Sequence, residues 1–347
     1  MTIDNIKNYL QSYDGPDLNI MEVCGSHTDA ISKNGIPSML SKKIHLLSGP
    51  GCPVCVTPSS YIDKLIDLSK EPGNVIATFG DLIRVPGSSK SLSDAKGEGA
   101  EVLMLYSPLD LIKTAKEDPD KNYIFAAVGF ETTTPVYAVL LDRLIEENIK
   151  NVKLLTALKT MPEVISHLLK NKAPIDGFIA PGHVSAVTGY GIFEPIAEEF
   201  DIPFGVSGFK GEELLIALYG IVKNAGKGVV KNYYPSVVKD EPEEETKRIT
   251  DRYFVMCDAV WRGMGKIENS GMKIRPEYAM YDAGSDGLFT DEKKNKACIC
   301  DQVLMGKKKP FDCPLFKKVC NPLSPQGACM VSTEGSCFSY YSNDRRD

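Results

Sequence analysis

Three cysteines in the first part of the chain have the spacing and the neighbours of reactive thiols. Cys24 lies three residues before His27 in the segment MEVCGSHT, and the pair Cys52 and Cys55 follows in GPGCPVC. A neighbouring imidazole can lower the pKa of a thiol, and C-x-x-C ahead of a helix suits disulfide exchange or metal binding. These residues therefore predict soft-metal or redox chemistry.

Each of these residues is also compatible with a structural role. A lone cysteine such as Cys24 is often a small buried hydrophobic residue, and C-x-x-C can be half of a structural zinc site. Glu131, in the segment GFETTTP, can cap a helix, and His183, in APGHVS, can be a structural histidine. The residue types alone leave these alternatives open.

A second group of cysteines lies near the C-terminus, in a segment rich in proline and glycine. Six of the ten cysteines belong to it: Cys298, Cys300, Cys313, Cys320, Cys329 and Cys337. Such a segment can hardly form a core alone, and four thiolates around an iron–sulfur cluster or a zinc ion would supply the missing stability. The spacing alone leaves open which four cysteines and which metal.

The composition is that of a globular protein. Its 347 residues predict two or three domains, and a net charge of −6 gives no reason to expect a nucleic-acid partner or a membrane partner. The sequence shows no signal peptide and no apolar segment long enough to span a bilayer, so a cytoplasmic location is predicted. In that compartment, ten cysteines favour metal binding or catalysis over a disulfide framework.

Short β-branched runs alternate with helical patterns along the chain, which is typical of α/β proteins. Helices are predicted at 58–71 and 134–149, and an apolar helix is predicted at 248–264, after an acidic run at 239–247. The β-branched runs predict buried parallel strands at 18–24, 43–49, 74–80, 101–107, 122–130, 152–158, 176–182 and 202–208.

These elements predict two Rossmann-like α/β domains with parallel sheets, which face a central cleft, and a C-terminal iron–sulfur-binding unit. The first domain is predicted at 18–118 and carries the first three cysteines, and the second is predicted at 119–235 and carries GFETTTP and PGHVS. The C-terminal unit is predicted at 240–347, as helices and loops joined by an N-terminal helix at 1–17.

The candidate residues follow the ends of predicted strands. Cys24, Cys52, Asp81, Glu131 and His183 all lie in loops that come directly after a β-branched run. Parallel sheets bind ligands outside the carboxyl ends of their strands. We therefore expect these loops to line one cleft between the two domains.

Six segments of the chain resemble the signature segments of the HypD family of hydrogenase maturation factors. The resemblance extends from residue 21 to residue 337 and so covers nearly the whole chain. The segments are, in chain order, MEVCGSHT, GPGCPVCVTP, TFGDLIRVPGS, GFETTTP, APGHVS and CPLFKKVCNPLSPQGACMVSTEGSC.

The resemblance implies a cofactor-assembly scaffold with redox activity rather than a conventional turnover enzyme. Proteins of this family, together with the small partner HypC, hold the iron on which two cyanides and one carbon monoxide of nickel–iron hydrogenase are assembled. HypE delivers the cyanide groups, with HypF acting upstream. A one-to-one complex with HypC is the corresponding expectation.

The resemblance also implies roles for single residues. Cys24 matches the iron-associated cysteine of the family, and His27 is its tuning neighbour, by hydrogen bonding or by donating charge to the thiolate. Cys52 and Cys55 match a redox-active dithiol. The family's C-x14-C-x6-C-x16-C pattern implies 4Fe–4S ligands at Cys298, Cys313, Cys320 and Cys337, and leaves Cys300 and Cys329 unassigned.

Glu131 and His183 match polar positions of the family's central cleft. The chain departs from the family at two other positions, because Asp29 and Ser48 stand where many members have histidine. Neither missing imidazole can be an obligatory iron ligand in a working protein of this sequence.

Two functions follow as hypotheses. In the first, the C-terminal cluster exchanges electrons with Cys52 and Cys55, which set the redox state of the iron or its ligands on the scaffold. The alternative is an iron–sulfur-dependent disulfide reductase resembling ferredoxin:thioredoxin reductase. It explains the dithiol and the cluster but gives Cys24, His27 and His183 no role. A third, structural interpretation places zinc in the C-terminal unit.

Overall fold

The computed structural model describes residues 2–293 and 295–343, which form two β-sheets with helices packed against them. The strands, numbered along the chain, are β1 (Leu18–Glu22), β2 (Ile44–Ser48), β3 (Asn74–Thr78), β4 (Val102–Met104), β5 (Asn122–Gly129), β6 (Val152–Lys159), β7 (Gly177–Pro181), β8 (Phe204–Ser207), β9 (Val230–Asn232), β10 (Phe254–Trp261) and β11 (Gly265–Ile274).

The helices lie mostly between consecutive strands, as expected for crossovers between parallel strands. They are α1 (Ile3–Gln11), α2 (Gly25–Lys33), α3 (Ser59–Leu68), α4 (Leu92–Gly97), α5 (Asp110–Glu117), α6 (Thr134–Glu146), α7 (Met161–Lys170), α8 (Gly182–Thr188), α9 (Glu194–Phe200), α10 (Gly211–Lys223), α11 (Glu244–Tyr253), α12 (Cys300–Leu304) and α13 (Ser336–Ser342).

The first sheet has five strands in the order β2-β1-β7-β8-β9, and every pairing in it is parallel. Its central strands are apolar on both faces: all five residues of β7 and all four of β8 are buried. Burial on both faces is the reason that these runs are continuously hydrophobic rather than alternating.

The second sheet has six strands in the order β10-β11-β6-β5-β3-β4. Its four strands β3 to β6 are parallel, and the hairpin of β10 and β11 adds to the β6 edge in antiparallel orientation. Both sheets are therefore largely or wholly parallel, and the α/β class predicted from the sequence is confirmed.

The eight predicted strands all form, but the sheets do not follow the predicted spans 18–118 and 119–235. Strand β1 pairs with β7 of the second span, and β3 pairs with β5 of the second span, in the other sheet; β2 and β4 extend these sheets at their edges. Strand patterns are local, whereas parallel strands are joined by long crossovers that leave the choice of partner open. Neither sheet is contiguous in the sequence.

The prediction of a helix at 248–264 is wrong after Tyr253. The helix α11 ends at Tyr253, and the apolar residues that follow form β10, whose half-buried and exposed positions alternate from Val255 to Ala259. A period of two is the signature of a strand with one buried face. The predicted C-terminal span 240–347 thus begins with a helix and a hairpin that belong to the second sheet.

The rest of that span, from residue 298, consists of short helices and turns, among them α12 and α13. Residues 294 and 344–347 of the span lie outside the described residues.

The predicted N-terminal helix forms as α1, and its Tyr9 ring packs edge-on against Tyr219 of α10, with 5.0 Å between the ring centroids. The helix α1 therefore packs on the first sheet's helices.

Within the described part of the chain, no helix is long and apolar enough to cross a membrane.

The core that carries the candidate residues joins both sheets to the C-terminal segment. It contains Phe178 and Phe204 of the first sheet, Trp261 of the second, and the cysteines Cys52 and Cys55.

The stacked phenylalanines of the first sheet provide a test of this core. Phe178 is fully buried and stacks on Phe204 with 4.9 Å between ring centroids. Truncation to alanine should lower the free energy of unfolding by about 3 to 5 kcal/mol, measured by urea denaturation. Phe289→Ala, at a side chain that is 57% exposed, is the control and should cost less than about 1 kcal/mol. Similar losses for both variants would contradict this core.

Candidate functional site

Cys24 lies where β1 gives way to α2, at the N-terminal cap of the helix. Its N–H donates to Glu22 Oε2 over 3.0 Å, and the next residue, Gly25, donates its N–H to Gly51 O over 3.0 Å. Burial raises the pKa of the Cys24 thiol to about 12, although the backbone N–H of His27 opposes this shift. The thiol is therefore protonated at neutral pH unless a cation or a base takes its proton.

The loop that holds Cys24 is anchored by a buried carboxylate. Glu22 is 3% exposed and accepts hydrogen bonds from the Cys24 N–H and from the Thr28 hydroxyl. Its negative charge is one of the causes that raise the pKa of Cys24. Glu22 thus fixes the turn into α2 and disfavours a thiolate beside it until a positive charge arrives.

His27 is fully buried in the first turn of α2. Its Nε2 lies 3.2 Å from Ser207 O and 3.1 Å from Gly208 O, and because carbonyls only accept, Nε2 carries the proton. Nδ1 therefore presents a bare lone pair, and it has no hydrogen-bond partner among the described residues. Burial lowers the pKa of His27 to about 4, so the ring is neutral. A neutral ring does not tune Cys24 by charge, and the hydrogen bond from His27 to the Cys24 thiol comes from its backbone N–H.

The structure brings His183 to the same place as His27. Both imidazole rings stack on Phe209, with centroid distances of 4.7 Å for His27 and 4.1 Å for His183. Partial burial lowers the pKa of His183. The loops after β1, β7 and β8 therefore converge at one edge of the first sheet.

Cys52 and Cys55 form a disulfide with a Cα–Cα separation of 5.2 Å. They are 3% and 0% exposed, so the bond is closed to large molecules. Cys55 Sγ lies 3.9 Å from Ala328 O, in the C-terminal segment. The disulfide therefore lies between the Cys24 loop, which contacts Gly51, and the C-terminal cysteines.

A stretch of the C-terminal segment connects the carboxyl ends of the two sheets. The Ser26 hydroxyl donates to Glu334 Oε1 over 3.2 Å, in the loop after β1. The Ser332 hydroxyl donates to Asp81 Oδ2 over 2.8 Å, in the loop after β3. Burial raises the pKa of Glu334. The predicted cleft is thus bridged by residues 332–334.

The C-terminal cysteines share one buried pocket. The Cys300 thiol hydrogen-bonds with the thiols of both Cys298 and Cys329. The bond between Cys300 and Cys298, together with burial, raises the pKa of Cys298. Burial raises the pKa of Cys337 well above its usual value, and Cys298, Cys300, Cys313 and Cys320 are close enough to add to the rise. So many thiols in one pocket can ionise together only if a cationic group compensates their charge.

Two features beside this pocket suit a sulfur-ligated group. The Gln326 N–H points to Cys320 Sγ over 3.4 Å, and hydrogen bonds to sulfur tune the potential of iron–sulfur clusters. Gly327 leaves space at the thiols, because a Cβ there would lie 2.7 Å from Cys298 Sγ. Among the described residues, however, no three metal-binding side chains are arranged around a single ion, and no iron–sulfur site is evident.

A buried arginine joins the disulfide loop to its surroundings. Arg262 is 6% exposed and donates from Nε to Thr57 O over 2.6 Å and from Nη2 to Pro86 O over 3.0 Å. Its guanidinium lies 3.9 Å from Asp291 Oδ1. Because Thr57 comes just after the disulfide, this buried charge fixes the chain that leaves Cys55.

Glu131 lies apart from the Cys24 loop, at the carboxyl end of β5. Its Oε1 accepts the Met161 N–H over 2.6 Å, while Oε2 is buried without a hydrogen-bond partner among the described residues. Burial raises the pKa of Glu131 to about 7. The carboxyl group borders a mainly apolar cavity of about 260 Å³ between α6, α8 and α11. Glu131 therefore contacts Met161 and this cavity rather than the loops that carry Cys24, Cys52 and Cys55.

The two positions that depart from the family's histidines differ in their surroundings. Asp29 forms an ion pair of 2.7 Å with Lys33 on the outer side of α2, and its side chain is 37% exposed. Ser48 is the last residue of β2 and lies opposite Glu22 in the pairing of β2 with β1. Asp29 thus points to solvent rather than to the Cys24 loop.

The sequence analysis missed Glu22, Arg262 and Glu334. Glu22 carries a signal, since an acidic residue in an apolar strand is rarely buried without a specific partner. Glu334 lies inside the segment MVSTEGSC, of which only the cysteines were considered. Arg262 follows an apolar run that was assigned to a helix, so no pattern pointed to the disulfide loop.

Comparisons with known proteins agree on one family. The family model described as "HypD: Hydrogenase formation hypA family" matches residues 1–344. The chain is 39% identical over 345 residues to the hydrogenase maturation factor HypD of Azotobacter vinelandii, covering 94% of this chain and 89% of that protein. It is 37% identical over 344 residues to HypD of Cupriavidus necator, covering 95% and 91%.

The raised pKa of Glu131 predicts a pH-dependent stability. Because the folded protein holds this proton more tightly than the unfolded chain, the gain is complete below about pH 4.5 and is lost as pH rises through about 7. Relative to Glu131→Gln, which keeps the acceptor for Met161, the parent should lose about 2 to 3 kcal/mol of unfolding free energy over that range.

Urea denaturation at a series of pH values measures this difference. Glu146→Gln, which removes an exposed carboxylate at the other end of α6, is the control and should leave the pH profile unchanged. Parallel profiles for the parent and Glu131→Gln would show that the carboxylate ionises without cost.

Proposed function

The chain belongs to the HypD family of hydrogenase formation proteins, and on that premise we propose that it is a scaffold for nickel–iron hydrogenase maturation. Its cargo is an iron ion that acquires two cyanides and one carbon monoxide. The protein works in the cytoplasm in a one-to-one complex with HypC, and HypE, supplied by HypF, delivers the cyanide groups. It is not a conventional turnover enzyme.

The observation that carries this proposal is the meeting of the Cys24 loop with the disulfide loop. The hydrogen bond from Gly25 N–H to Gly51 O places the two loops side by side, one residue from Cys24 and one from Cys52. The thiol proposed to bind iron and the disulfide proposed to be redox-active thus lie on two loops that touch. This is the arrangement that a scaffold with redox control of its cargo requires.

Cys24 supplies the iron ligand. Low-spin iron that carries cyanide and carbon monoxide needs soft donors, and a thiolate is one. The thiol is protonated in the absence of metal, so binding of the cation releases a proton. His27, in the first turn of the same helix, offers its bare Nδ1 as a neutral hydrogen-bond acceptor, and His183 lies beyond Phe209. A cysteine of HypC completes the soft ligand set.

Cys52 and Cys55 set the redox state of the iron or its ligands. Reduction of their disulfide takes up two electrons and two protons and gives two thiols. The thiols of Cys298, Cys300 and Cys329 form a hydrogen-bonded series that ends one residue from Ala328, whose carbonyl contacts Cys55. This series connects the C-terminal pocket with the disulfide.

The C-terminal pocket would hold a 4Fe–4S cluster through Cys298, Cys313, Cys320 and Cys337. Such a cluster supplies single electrons. The shared pocket, the N–H that points to Cys320 and the space at Gly327 support this assignment. Cys300 and Cys329 remain as thiols between the pocket and the disulfide. Glu131 keeps a separate role at its cavity, as a polar group of the scaffold.

The alternative function is an iron–sulfur-dependent disulfide reductase. The disulfide beside a series of thiols favours it, but the nearly complete burial of Cys52 and Cys55 closes the bond to an external protein substrate. It also leaves the bare Nδ1 of His27 and the Cys24 loop without a role. Rapid turnover of a disulfide substrate by the isolated protein would support it over the scaffold.

Infrared spectroscopy tests the scaffold. The protein is purified without oxygen together with HypC after co-expression of HypE and HypF, and the stretches of metal-bound cyanide and carbon monoxide are recorded. Cys24→Ala should abolish these bands because it removes the iron ligand. Cys257→Ala, at a half-buried cysteine of β10, is the control and should retain them. Bands that persist in Cys24→Ala would place the iron elsewhere.

Serine substitutions test the cluster ligands. Cys298→Ser should lower iron and sulfide content and the visible absorption of an iron–sulfur cluster, whereas Cys300→Ser should keep both, since it removes a neighbouring thiol and not a ligand. Loss of the cluster in Cys300→Ser with retention in Cys298→Ser would reverse the assignment. A colourless parent protein that binds zinc would contradict the cluster.

A further inference from the structure

A strongly basic stretch surrounds one of the proposed cluster ligands. Residues 305–320 contain five lysines and a single acidic residue, Asp312, in a chain whose net charge is −6. Lys307, Lys308, Lys317 and Lys318 are exposed. Such a local excess of positive charge in an acidic protein is a field that selects and orients an approaching partner.

The two ends of this stretch lie together in space. Lys317 Nζ lies 5.8 Å from the centroid of the Phe311 ring and 5.9 Å from that of Phe316, which follow Lys309 and Cys313 along the chain. Phe311 is 40% exposed and Val319 is 54% exposed. We call the four exposed lysines with Phe311 and Val319 the basic face: positive charges around a small apolar surface.

Cys313 lies inside this face. Its N–H donates to Pro310 O over 3.1 Å, and its carbonyl accepts the Phe316 N–H over 3.1 Å, so the turn holds it between the two phenylalanines. It is half-buried, whereas Cys298, Cys320 and Cys337 are buried. A group held by these four cysteines would therefore be nearest to solvent at Cys313, and the disulfide contacts the carbonyl of Ala328, next to Cys329.

We propose that the basic face is the docking surface for an acidic one-electron carrier protein. The inference rests on the proposed function, since it requires a cluster at Cys313. Two successive encounters oxidise two carrier molecules, and their two electrons with two protons from solvent convert the Cys52–Cys55 disulfide into two thiols. Electron-transfer partners typically form small interfaces whose charges accelerate encounter and are screened by salt.

Binding of a probe carrier tests the proposal without any measurement of maturation. The probe is an oxidised plant-type [2Fe–2S] ferredoxin, which is strongly acidic, and its dissociation constant is measured by calorimetry at several salt concentrations. The parent should bind with an affinity that falls as salt rises. The triple variant Lys307→Glu, Lys308→Glu, Lys318→Glu should bind at least about tenfold more weakly at low salt.

The variant leaves Lys309 and Lys317 in place, because Lys309 begins the turn before Phe311 and Lys317 packs on aromatic rings. The control carries the same change of charge at exposed lysines elsewhere, as Lys150→Glu, Lys227→Glu, Lys231→Glu. It should bind like the parent. Equal weakening in both variants, or no binding by the parent, would overturn the proposal.

Stopped-flow reduction of the cluster gives a second measurement. With reduced ferredoxin the triple variant should bleach the iron–sulfur absorption at least about tenfold more slowly than the parent, and with dithionite, a small reductant, at the parent's rate. Equal rates with ferredoxin would overturn the docking surface while the cluster stands. A parent that lacks iron–sulfur absorption would instead contradict the proposed function.

Discussion

The close contact between Gly51 and the backbone of Cys24 is the constraint on which the site depends. A Cβ at position 51 would overlap the backbone atoms of Val23 and Cys24, so only glycine allows the two loops to touch. The contact follows from the sheet, because β1 and β2 are parallel neighbours in register from Leu18 and Ile44 onwards, and their carboxyl ends lie side by side. A thiol and a disulfide are brought together by two backbones rather than by their own side chains.

Burial then determines the protonation of the groups that meet there. It keeps the Cys24 thiol protonated, leaves the His27 ring neutral and raises the pKa of Glu334. Burying a site with few charges costs little desolvation free energy, whereas an unpaired ion in the same place would destabilise the fold. A cation that enters changes this balance, because it favours the thiolate and is itself favoured by Glu22. If Cys24 binds the proposed iron, binding would exchange the thiol proton for the metal ion.

The sequence predicted the elements and much of the site, but not how the sheets are assembled. Strands such as 122–130 were clear because burial on both faces makes them continuously apolar. The neighbour of each strand in the sheet was not clear from the sequence, because pairing across a long crossover leaves no local pattern. Strand β10 was assigned to a helix because its apolar run lacked turn residues, and Glu334 was overlooked because its contact with Ser26 joins residues 308 positions apart.

The burial of the cysteines bears on the direction of the proposed electron transfer. Cys313 is half-buried near exposed lysines, whereas Cys298, Cys300 and Cys329 are buried, and so are Cys52 and Cys55, whose loop contacts the loop of Cys24. On the proposed function, an electron that enters at Cys313 would move inward through these thiols to the Cys24 loop. If the pair has this role, burial protects it from direct oxidation by molecules in solvent, which would otherwise compete with the electrons that arrive through the C-terminal pocket.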